Sequence, residues 1–354
     1  MADQDLSKSF AERILHAYEE RTPLQFKAGR TKEFYGRRID VPVMDVSAHR
    51  GILNYEPTEL ILTARSGTPL REIEQVLTEQ NQMLPFEPPH FGDTATLGGT
   101  IACGLSGPRR AYSGAARDFV LGVKIINGKG EIIKFGGEVM KNVAGYDVSR
   151  LMTGAMGTLG LLLEISIKVL PKPASEITLS REIDAGHALK KMLQYSQQSL
   201  PVSAACHDGK KMFIRLSGAS QAVLSAKQQL GGIEVNDGTS FWASLREQSH
   251  DFFNDDKSLY RVSLPAATPI SAFSGQQFID WGGAQRWLKT DKAMTQLCKK
   301  AADLNGHCTL FRHHNKEYDV FQPLKGKLKQ LHLNLKLAFD PHDILNPTRM
   351  YSDF

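Results

Sequence analysis

Apolar side chains recur at helical spacing in the opening segment, DLSKSFAERILHAYEERT. Leu6, Phe10 and Ile14 fall on one face of a helix with this spacing, and Pro23 lies just beyond the run. LQFKA and LILTA have the length and apolar content of short strands, whereas LREIEQVLTEQ again has the spacing of a helix. The order of these elements predicts a first α+β or α/β unit over residues 1–80.

A hairpin and a long strand are predicted in the next segment. DFVLGVKII and EIIKFGG flank NGKG, whose glycines permit the positive φ angles of a hairpin turn. VSRLMTGAM is then predicted as a helix, and LGLLLEISIKVLP as a long strand that PKPAS ends. A second unit is therefore predicted over residues 81–172, with a domain boundary near Pro171 to Ser175.

Longer polar helices alternate with strands from about residue 176 onward. HALKKMLQYSQQ and SQAVLSAKQQL are predicted helices, whereas KMFIRLSG and LYRVSLP are predicted strands. This alternation predicts a smaller α+β domain. A last helix is predicted to end near Phe339, because Pro341 and Pro347 cannot continue it.

Composition and charge narrow the class of protein. The 354 residues are 41% hydrophobic, and the formal net charge of +5 is spread along the chain without a polybasic tail. This distribution argues against a nucleic-acid-binding protein and suits a small phosphate-bearing ligand better. No apolar run approaches the ~20 residues of a membrane span, and the first residues have no apolar signal core, so a cytoplasmic protein is expected.

The cysteines and histidines do not predict a metal site. The cysteines have no CxxC spacing, which argues against a zinc ribbon or an iron–sulfur cluster and favours reduced, mostly buried thiols. They are Cys103, Cys206, Cys298 and Cys308. His307, His313 and His314 in HCTLFRHH match no regular metal spacing either, so no metal is predicted.

Glycine-bearing loops are the main candidate for chemistry. They are GRTKEFYG at 29–36, TLGGTIACGLSG at 96–107 and GYDVSRLMTGAMGTLG at 145–160. Glycine lets several backbone amides approach one ligand, which is how a nest of N–H groups binds phosphate, so a two-phosphate ligand is predicted. Each loop taken alone is also typical of an ordinary turn.

Two familiar nucleotide motifs are excluded by spacing. No GxxxxGK[ST] string occurs, which argues against a P-loop. GAMGTLG is spaced GxxGxxG and lies after a predicted helix and before a strand, the reverse of a Rossmann fingerprint.

Four longer stretches together carry a resemblance to a known family. They are FKAGRTKEFYGR, PPHFGDTATLGGTIACGLSGPRRAYSGAARDFVLGVKIING, GGEVMKNVAGYDVSRLMTGAMGTLGLLLEISIKVLPKP and FDPHDILNPTRM. In this order they resemble the FAD-binding domain of the vanillyl-alcohol oxidase and p-cresol methylhydroxylase (PCMH) superfamily. Within it, the chain is most similar to the FAD-binding subunits of bacterial glycolate oxidase, also called glycolate dehydrogenase. The resemblance covers nearly the whole chain.

The resemblance implies an α+β fold and non-covalently bound FAD. It implies a PCMH-type FAD-binding domain of two α+β subdomains over residues 1–172, and a small α+β cap domain over residues 173–333. A C-terminal segment, residues 334–354, returns to the FAD domain. The cofactor-binding residues implied by the matching motifs are Gly29, Arg30, Thr31, Lys32, Gly36, Thr96, Gly98, Gly99, Thr100, Ala102, Gly107, Gly157, Thr158, Gly160, Ile165 and Asn346.

The resemblance does not supply a catalytic residue. Superfamily members that oxidise α-hydroxy acids usually have a histidine-rich cap motif ending in aspartate and glycine, and no such string occurs here. The glycine-bearing stretch 96–107 is followed closely in sequence by Arg109, Arg110, Arg117 and Asp118. Arginines beside a pyrophosphate can simply neutralise its charge. The catalytic residues are therefore left unassigned.

The implied function is that of one redox subunit in a complex that oxidises glycolate, a small 2-hydroxy acid, to glyoxylate. The implied partners are a sister FAD-linked subunit and an iron–sulfur subunit, with electrons passing to the respiratory chain. Contact with the inner face of the plasma membrane is expected only through these partners. GPRRAYSG is expected to be exposed, with Arg109 and Arg110 pairing with acidic groups of a partner. A non-catalytic assembly subunit and a stand-alone flavin oxidase for an alcohol or sugar stay open as alternatives.

Overall fold

A computed structural model describes residues 4–137, 147–313 and 319–353. The elements up to residue 172 are α1 (Ser7–Glu19), β1 (Gln25–Lys27), β2 (Val43–Asp45), β3 (Ile52–Glu56), β4 (Ile61–Arg65), α2 (Leu70–Glu79), β5 (Gln82–Met83), α3 (Leu97–Cys103), α4 (Arg110–Ser113), β6 (Val120–Ile126), β7 (Ile132–Gly136), α5 (Val148–Met152), β8 (Leu161–Lys168) and β9 (Leu170–Pro171). The start of the third glycine-bearing loop, at Gly145, and His314 lie outside the described residues.

The elements after residue 172 include the last helix, which ends at Phe339 as its sequence predicts. They are β10 (Ser175–Glu182), α6 (Ala185–Ser196), β11 (Val202–His207), β12 (Lys211–Gly218), α7 (Ser220–Leu230), β13 (Ile233–Glu234), α8 (Gly238–Arg246), β14 (Leu259–Ser263), β15 (Gln276–Asp280), β16 (Gln285–Lys289), α9 (Met294–Asp303), β17 (His307–Arg312) and α10 (Gly326–Phe339). None of the helices in the three described ranges is long and apolar enough to cross a bilayer.

The first sheet is antiparallel, with the strand order β3-β4-β8-β6-β7. The predicted NGKG hairpin between β6 and β7 is confirmed. Asn127 organises its turn, because its side-chain oxygen accepts the N–H groups of Lys129 and Glu131, both at 3.0 Å. Gly130 has φ +77°, a backbone conformation that glycine adopts more readily than other residues.

Helix α2 covers one face of the first sheet. Leu70, Ile73 and Leu77 lie at i, i+3 and i+7 and are fully buried in a shared apolar core with strands β4 and β8. Helix α1 buries Phe10 and Ile14 in another cluster, which includes the C-terminal residues Ile344 and Leu345. The chain after α10 therefore returns to the N-terminal unit.

Helix α3 lies inside the glycine-bearing stretch 96–107, where the sequence indicated a loop. Thr96 caps it, with its side-chain oxygen accepting the N–H of Gly99 at 3.2 Å, and Gly104 ends it at φ +62°. Glycine is a poor helix former, so the pattern of apolar residues did not reveal this short helix. Packing stabilises it instead, because Leu97 and Ile101 are fully buried.

The second sheet is built from residues 175–312, with the order β13-β10-β12-β11-β15-β16-β14-β17. Its neighbouring strands are antiparallel. Helices α6 and α7 pack on one apolar cluster of this sheet, and α9 packs on a second one. The chain leaves the N-terminal unit between Pro171, still paired with Gln82, and Ser175, the first residue of the second sheet.

A buried ion-pair network, here called the latch, joins the N-terminal unit to the second sheet. Arg109 lies 3.2 Å from a Glu87 oxygen and 2.7 Å from a Glu176 oxygen, while Arg215 lies 2.8 Å from Glu87. Arg109 is only 8% exposed. The expectation that Arg109 offers its charge to a partner subunit is therefore wrong, because internal carboxylates already neutralise it.

Candidate functional site

A cavity of about 910 Å³ lies between the loop after β1, helix α3, the turn after α5 and the C-terminal segment. This volume includes solvent at the open mouth of the cavity. We call this space the cofactor cavity. Its lining in the described residues includes Gln25, Phe26, Lys27, Ala28, Gly29, Arg30, Thr31, Lys32, Glu33, Val46, Ser66, Thr96, Gly98, Gly99, Ala102, Cys103, Met156, Gly157, Gly160, Leu161, Leu162, Asn346 and Arg349.

The loop after β1 presents free backbone donors to the cofactor cavity. In the described part of the chain, the backbone N–H groups of residues 29–32 have no hydrogen-bond acceptor. Arg30 has φ +58°, and such a left-handed residue lets consecutive N–H groups converge into an anion-binding nest. The hydroxyl of Thr94 holds the loop by donating to the carbonyl oxygen of Gly29 at 2.6 Å.

Helix α3 forms a second wall without side-chain bulk. A Cβ atom at Gly98 would lie 2.6 Å from the Cβ of Ser66, so this glycine lets the helix pack against β4. A Cβ at Gly99 would meet only the hydroxyl of Thr96, at 3.2 Å. Gly98 therefore serves packing, whereas Gly99 keeps the cavity open.

Asn346 joins the third wall to the first. Its amide nitrogen donates to the carbonyl oxygen of Met156 at 2.7 Å, and its amide oxygen accepts the N–H of Phe26 at 2.8 Å. Gly157 has φ +74°, and a Cβ there would lie 2.6 Å from the same amide nitrogen. One side chain thus fixes strand β1, the turn at 154–160 and the C-terminal segment around the cavity.

Buried cations add a positive potential. The Lys32 ammonium donates to the carbonyl oxygen of His90 at 3.2 Å, and burial lowers its pKa. Arg349 donates to the carbonyl oxygen of Tyr35 at 2.7 Å, and burial likewise lowers its pKa. Burial raises the pKa of Cys103, so this residue is a neutral thiol at the cavity wall.

Most of the residues that the family resemblance implied meet at this cavity. They are Gly29, Arg30, Thr31, Lys32, Thr96, Gly98, Gly99, Ala102, Gly157, Gly160 and Asn346. The remaining ones, Gly36, Thr100, Gly107, Thr158 and Ile165, lie outside its lining.

These remaining residues have other contacts in the fold. Ile165 is fully buried in the core of the first sheet. The carbonyl oxygen of Thr158 accepts a hydrogen bond from the Lys336 ammonium at 2.9 Å. The carbonyl oxygen of Gly107 accepts a hydrogen bond from the Trp281 indole N–H at 3.1 Å. Thr100 is fully buried in α3, and Gly36 has φ +93° beside Met156 and Arg349.

Sequence reasoning missed several residues of the cavity wall. Ser66 lies in the turn RSGTP after β4, and its buried hydroxyl has no partner among the described residues. The turn itself was a visible signal for Ser66. Phe26, Val46 and Arg349 gave no local signal, because their positions follow from the parallel pairing of β1 with β2 and from the return of the C-terminal segment.

The residues present fit FAD. The unpaired amides of residues 29–32 can donate to a pyrophosphate, and the buried cations offset its charge. The open face at Gly99 leaves the cavity wall clear of side chains, as a planar cofactor requires. Among the described residues, no group of three or more His, Cys, Asp or Glu side chains could hold a metal, and His307 is exposed on β17.

Comparison with known proteins agrees with this assignment. Residues 8–136 match the family model of an FAD binding domain. The chain is 47% identical to the glycolate oxidase subunit GlcE of Escherichia coli (strain K12) over 349 residues, which cover 99% of this chain and 98% of the relative. It is 25% identical to the glycolate oxidase subunit GlcD of Bacillus subtilis (strain 168), over 85% of this chain and 77% of that protein.

A solved structure supports the fold. The crystal structure of p-cresol methylhydroxylase with substrate bound superimposes with a TM-score of 0.76 at 13% identity, covering 100% of this chain and 89% of the other. The predicted PCMH-type α+β fold and the FAD cofactor are thereby confirmed.

Proposed function

Since this chain belongs to the family of the glycolate oxidase subunit GlcE, we propose that it is the FAD-binding redox subunit of a multi-subunit glycolate oxidase. The observation that carries the proposal is the end-to-end match at 47% identity. This match extends through the second sheet as well as the N-terminal unit. Oxidation of glycolate to glyoxylate releases two electrons and two protons, and bound FAD supplies the two-electron acceptor.

The onward path of the electrons supports a role within a complex. An iron–sulfur cluster needs several cysteines brought together. Cys103 lies at the cofactor cavity, Cys206 lies on β11, and Cys298 contacts Cys308 between α9 and β17. This dispersed placement favours an iron–sulfur partner subunit and a sister FAD-linked subunit, with contact to the membrane only through them.

The site argues against the two alternative functions. A non-catalytic assembly subunit has no need for a nest of free amides, a cavity of about 910 Å³ and a glycine kept clear of side chains. A stand-alone oxidase is disfavoured because the relative that matches this chain end to end is by its name one subunit of an enzyme.

The proposal is tested with the isolated chain and with the co-expressed complex. Both are purified, their FAD content is measured by absorbance, and both are assayed with glycolate and an artificial electron acceptor. We expect the isolated chain to be yellow and nearly inactive and the complex to be active.

Full activity of the isolated chain would favour the stand-alone oxidase instead. A colourless chain within an active complex would favour the assembly subunit. As a check on the contribution of this chain, a complex that contains Gly99→Val should lose activity together with one flavin, whereas the same substitution at the exposed Gly186 of α6 should preserve both.

A further inference from the structure

Helix α10 has an apolar face that the described chain leaves largely open to solvent. Leu328, Leu331 and Leu335 recur at i, i+3 and i+7, so they lie along one face of the helix. Leu328 is 52% exposed, Leu331 is 54% exposed, and Leu335 is half-buried. We call these three residues the leucine face. Single exposed leucines are ordinary, but a row of them on one helix face is typical of a contact surface.

A different face attaches α10 to the rest of the protein. Lys336 is the one buried residue of this helix, and its ammonium lies 2.7 Å from Asp340. The ring of Phe339 lies 6.2 Å from the ring of Phe135 on β7. Lys336 follows Leu335 directly, which turns it by about 100° away from the leucine face. The three leucines belong to none of the apolar clusters of the described residues, so they are not needed to hold the helix in place.

The surroundings of the leucine face are basic. Residues 320–339 contain no aspartate or glutamate. Lys325 and Lys327 are exposed at the start of α10, and neither has an ion pair within the described ranges. Lys329 is already paired with Asp353. A molecule that covers this face therefore gains most if it has an apolar centre with carboxylates beside it.

The polar face of α10 argues against a lipid bilayer as the occupant. Gln330 and Asn334 lie on this face, and the amide nitrogen of Gln330 donates to the amide oxygen of Asn334 at 2.9 Å. Helices that lie on a membrane are usually rich in Lys and Arg along the polar face. Lys327 is the one basic residue among the exposed side chains of α10. This helix therefore has too little positive charge for a typical membrane-surface helix.

A second copy of this chain does not suit the leucine face either. Two copies that packed α10 against α10 about a twofold axis would present the same side chains to each other. Lys325 and Lys327 would then meet no carboxylate from the facing helix. Like charges brought together at an interface oppose the contact.

We propose that the leucine face docks a helix of another subunit of the complex, with apolar side chains against the three leucines and carboxylates against Lys325 and Lys327. The i, i+3, i+7 spacing is that of paired helices, in which each such residue inserts between side chains of the facing helix. The relative that matches this chain end to end is by its name a subunit, so a contact surface of this kind is required. The inference rests on the proposed function, because it names the place where a partner subunit meets this chain.

Co-expression of the complex with a chain that carries both Leu328→Glu and Leu331→Glu tests the proposal. The tagged chain is purified, the subunits that co-purify are quantified, and their affinity is measured by titration. We expect association to weaken at least about 30-fold, the usual effect of losing side chains at the centre of an interface. The isolated variant should keep its FAD and its unfolding midpoint, because these leucines lie outside the core.

Two further variants complete the test. Leu224→Glu, at a leucine of α7 that is 50% exposed, is the matched control and should associate like the parent chain. A chain with Lys325→Glu and Lys327→Glu leaves the leucines intact and reverses the charge beside them. It should weaken association about 3- to 10-fold at low salt, and the loss should shrink as salt screens the charges.

The docking surface is overturned if the leucine variant, folded and loaded with FAD, associates like the Leu224→Glu control. If the leucine variant does not fold, the lysine variant decides the question in the same way.

Two other results would also overturn the docking surface. An isolated parent chain that is a dimer, and that the leucine substitutions make monomeric, would assign the face to a second copy. Binding of the isolated parent chain, but not of the variant, to phosphatidylglycerol vesicles would assign it to a membrane. A parent chain that forms no complex, or a parent complex without glycolate activity, would instead count against the proposed function.

Discussion

The ammonium of Lys336 lies 2.7 Å from a carboxylate oxygen of Asp340, and both side chains are almost completely buried. The same ammonium donates to the carbonyl oxygens of Thr158 and Leu345, at 2.9 and 3.0 Å. Asp340 in turn accepts the backbone N–H groups of Ile344 and Leu345. This pair therefore holds the turn at 154–160 and the C-terminal segment in place on either side of Asn346.

Replacing Lys336 by methionine should destabilise the protein by about 3–5 kcal/mol, because it leaves a buried carboxylate without its cation. FAD occupancy should fall as well, since the turn and the segment carrying Asn346 lose a shared anchor. Urea unfolding and the ratio of flavin to protein absorbance measure these effects. Lys329→Met, on the same helix but in an exposed ion pair with Asp353, should cost less than about 1 kcal/mol. Equal effects of the two substitutions would contradict the anchor.

Gly99→Val should remove most of the FAD with little effect on folding. An added Cβ at Gly99 meets only the Thr96 hydroxyl, so the larger side chain extends into the cofactor cavity. Gly98→Val should instead impair folding, because its Cβ collides with the backbone and side chain of Ser66. Flavin content and the unfolding midpoint separate the two outcomes. A Gly99→Val variant that retains a full complement of FAD would show that the cofactor does not bind beside Gly99.

Acid precipitation should release all of the flavin into the supernatant. Among the described residues that line the cofactor cavity, Cys103 is the one thiol, and its raised pKa keeps it protonated and weakly nucleophilic at neutral pH. Cys103→Ala should therefore retain FAD. Yellow colour in the precipitated pellet, lost in Cys103→Ala, would instead indicate a thioether bond.

Glu87→Gln should destabilise the protein by about 3–5 kcal/mol at pH 7, because it leaves Arg109 and Arg215 of the latch undercompensated. Burial alone would raise the pKa of Glu87, but Arg215 and Arg109 hold it below its ordinary value of 4.5. The stabilisation is therefore present above pH 4.5 and is lost as the pH falls through the lower folded value. The difference in unfolding free energy between parent and variant should shrink accordingly below pH 4.5.

The control for the latch is Glu234→Gln, which breaks an exposed pair with Lys227 on the second sheet. It should change stability by less than about 1 kcal/mol at any of these pH values. A Glu87→Gln variant that is no less stable than this control would argue against the latch.

Asp280→Asn should become less destabilising, relative to the parent chain, as the pH rises from 4 to 8. Burial raises the pKa of Asp280 to about 7, against the opposing effect of the Trp281 N–H. A carboxyl with a raised folded pKa stabilises the fold most below its ordinary value of 3.8, and that contribution is lost as the pH rises through about 7. Urea unfolding at several pH values measures the difference.

Asp237→Asn is the comparison for this pH series. Hydrogen bonds from Ser240 already hold the pKa of Asp237 below its ordinary value, so its difference from the parent should be flat between pH 5 and 8. A flat difference for Asp280→Asn as well would contradict a neutral buried carboxyl at that position.

Elements stabilised by local interactions could be predicted from the sequence. The spacing of Leu70, Ile73 and Leu77 specifies one buried face of α2, and Asn127 with Gly130 specifies the hairpin turn. Helix α3 was missed because its stability comes from burial of Leu97 and Ile101 against distant strands rather than from helix propensity.

Non-local contacts account for the rest of what was missed. Arg109 was expected at the surface because its carboxylate partners, Glu87 and Glu176, lie 22 and 67 residues away in sequence. The family resemblance predicted most of the residues at the cofactor cavity. Their assembly around one cavity depends on Asn346. The Lys336–Asp340 pair holds the segment that carries Asn346, and no sequence pattern indicated this pair.

The hydrogen bond from Phe26 to Asn346 joins residues 320 positions apart, and this separation orders events during synthesis. A ribosome that has made the first 172 residues has produced the nest at 29–32 and helix α3, but not the residue that ties them to the turn at 154–160. The whole second sheet must be translated before the cavity can close. A chain that stops before residue 346 should therefore bind FAD poorly even when its N-terminal unit is folded.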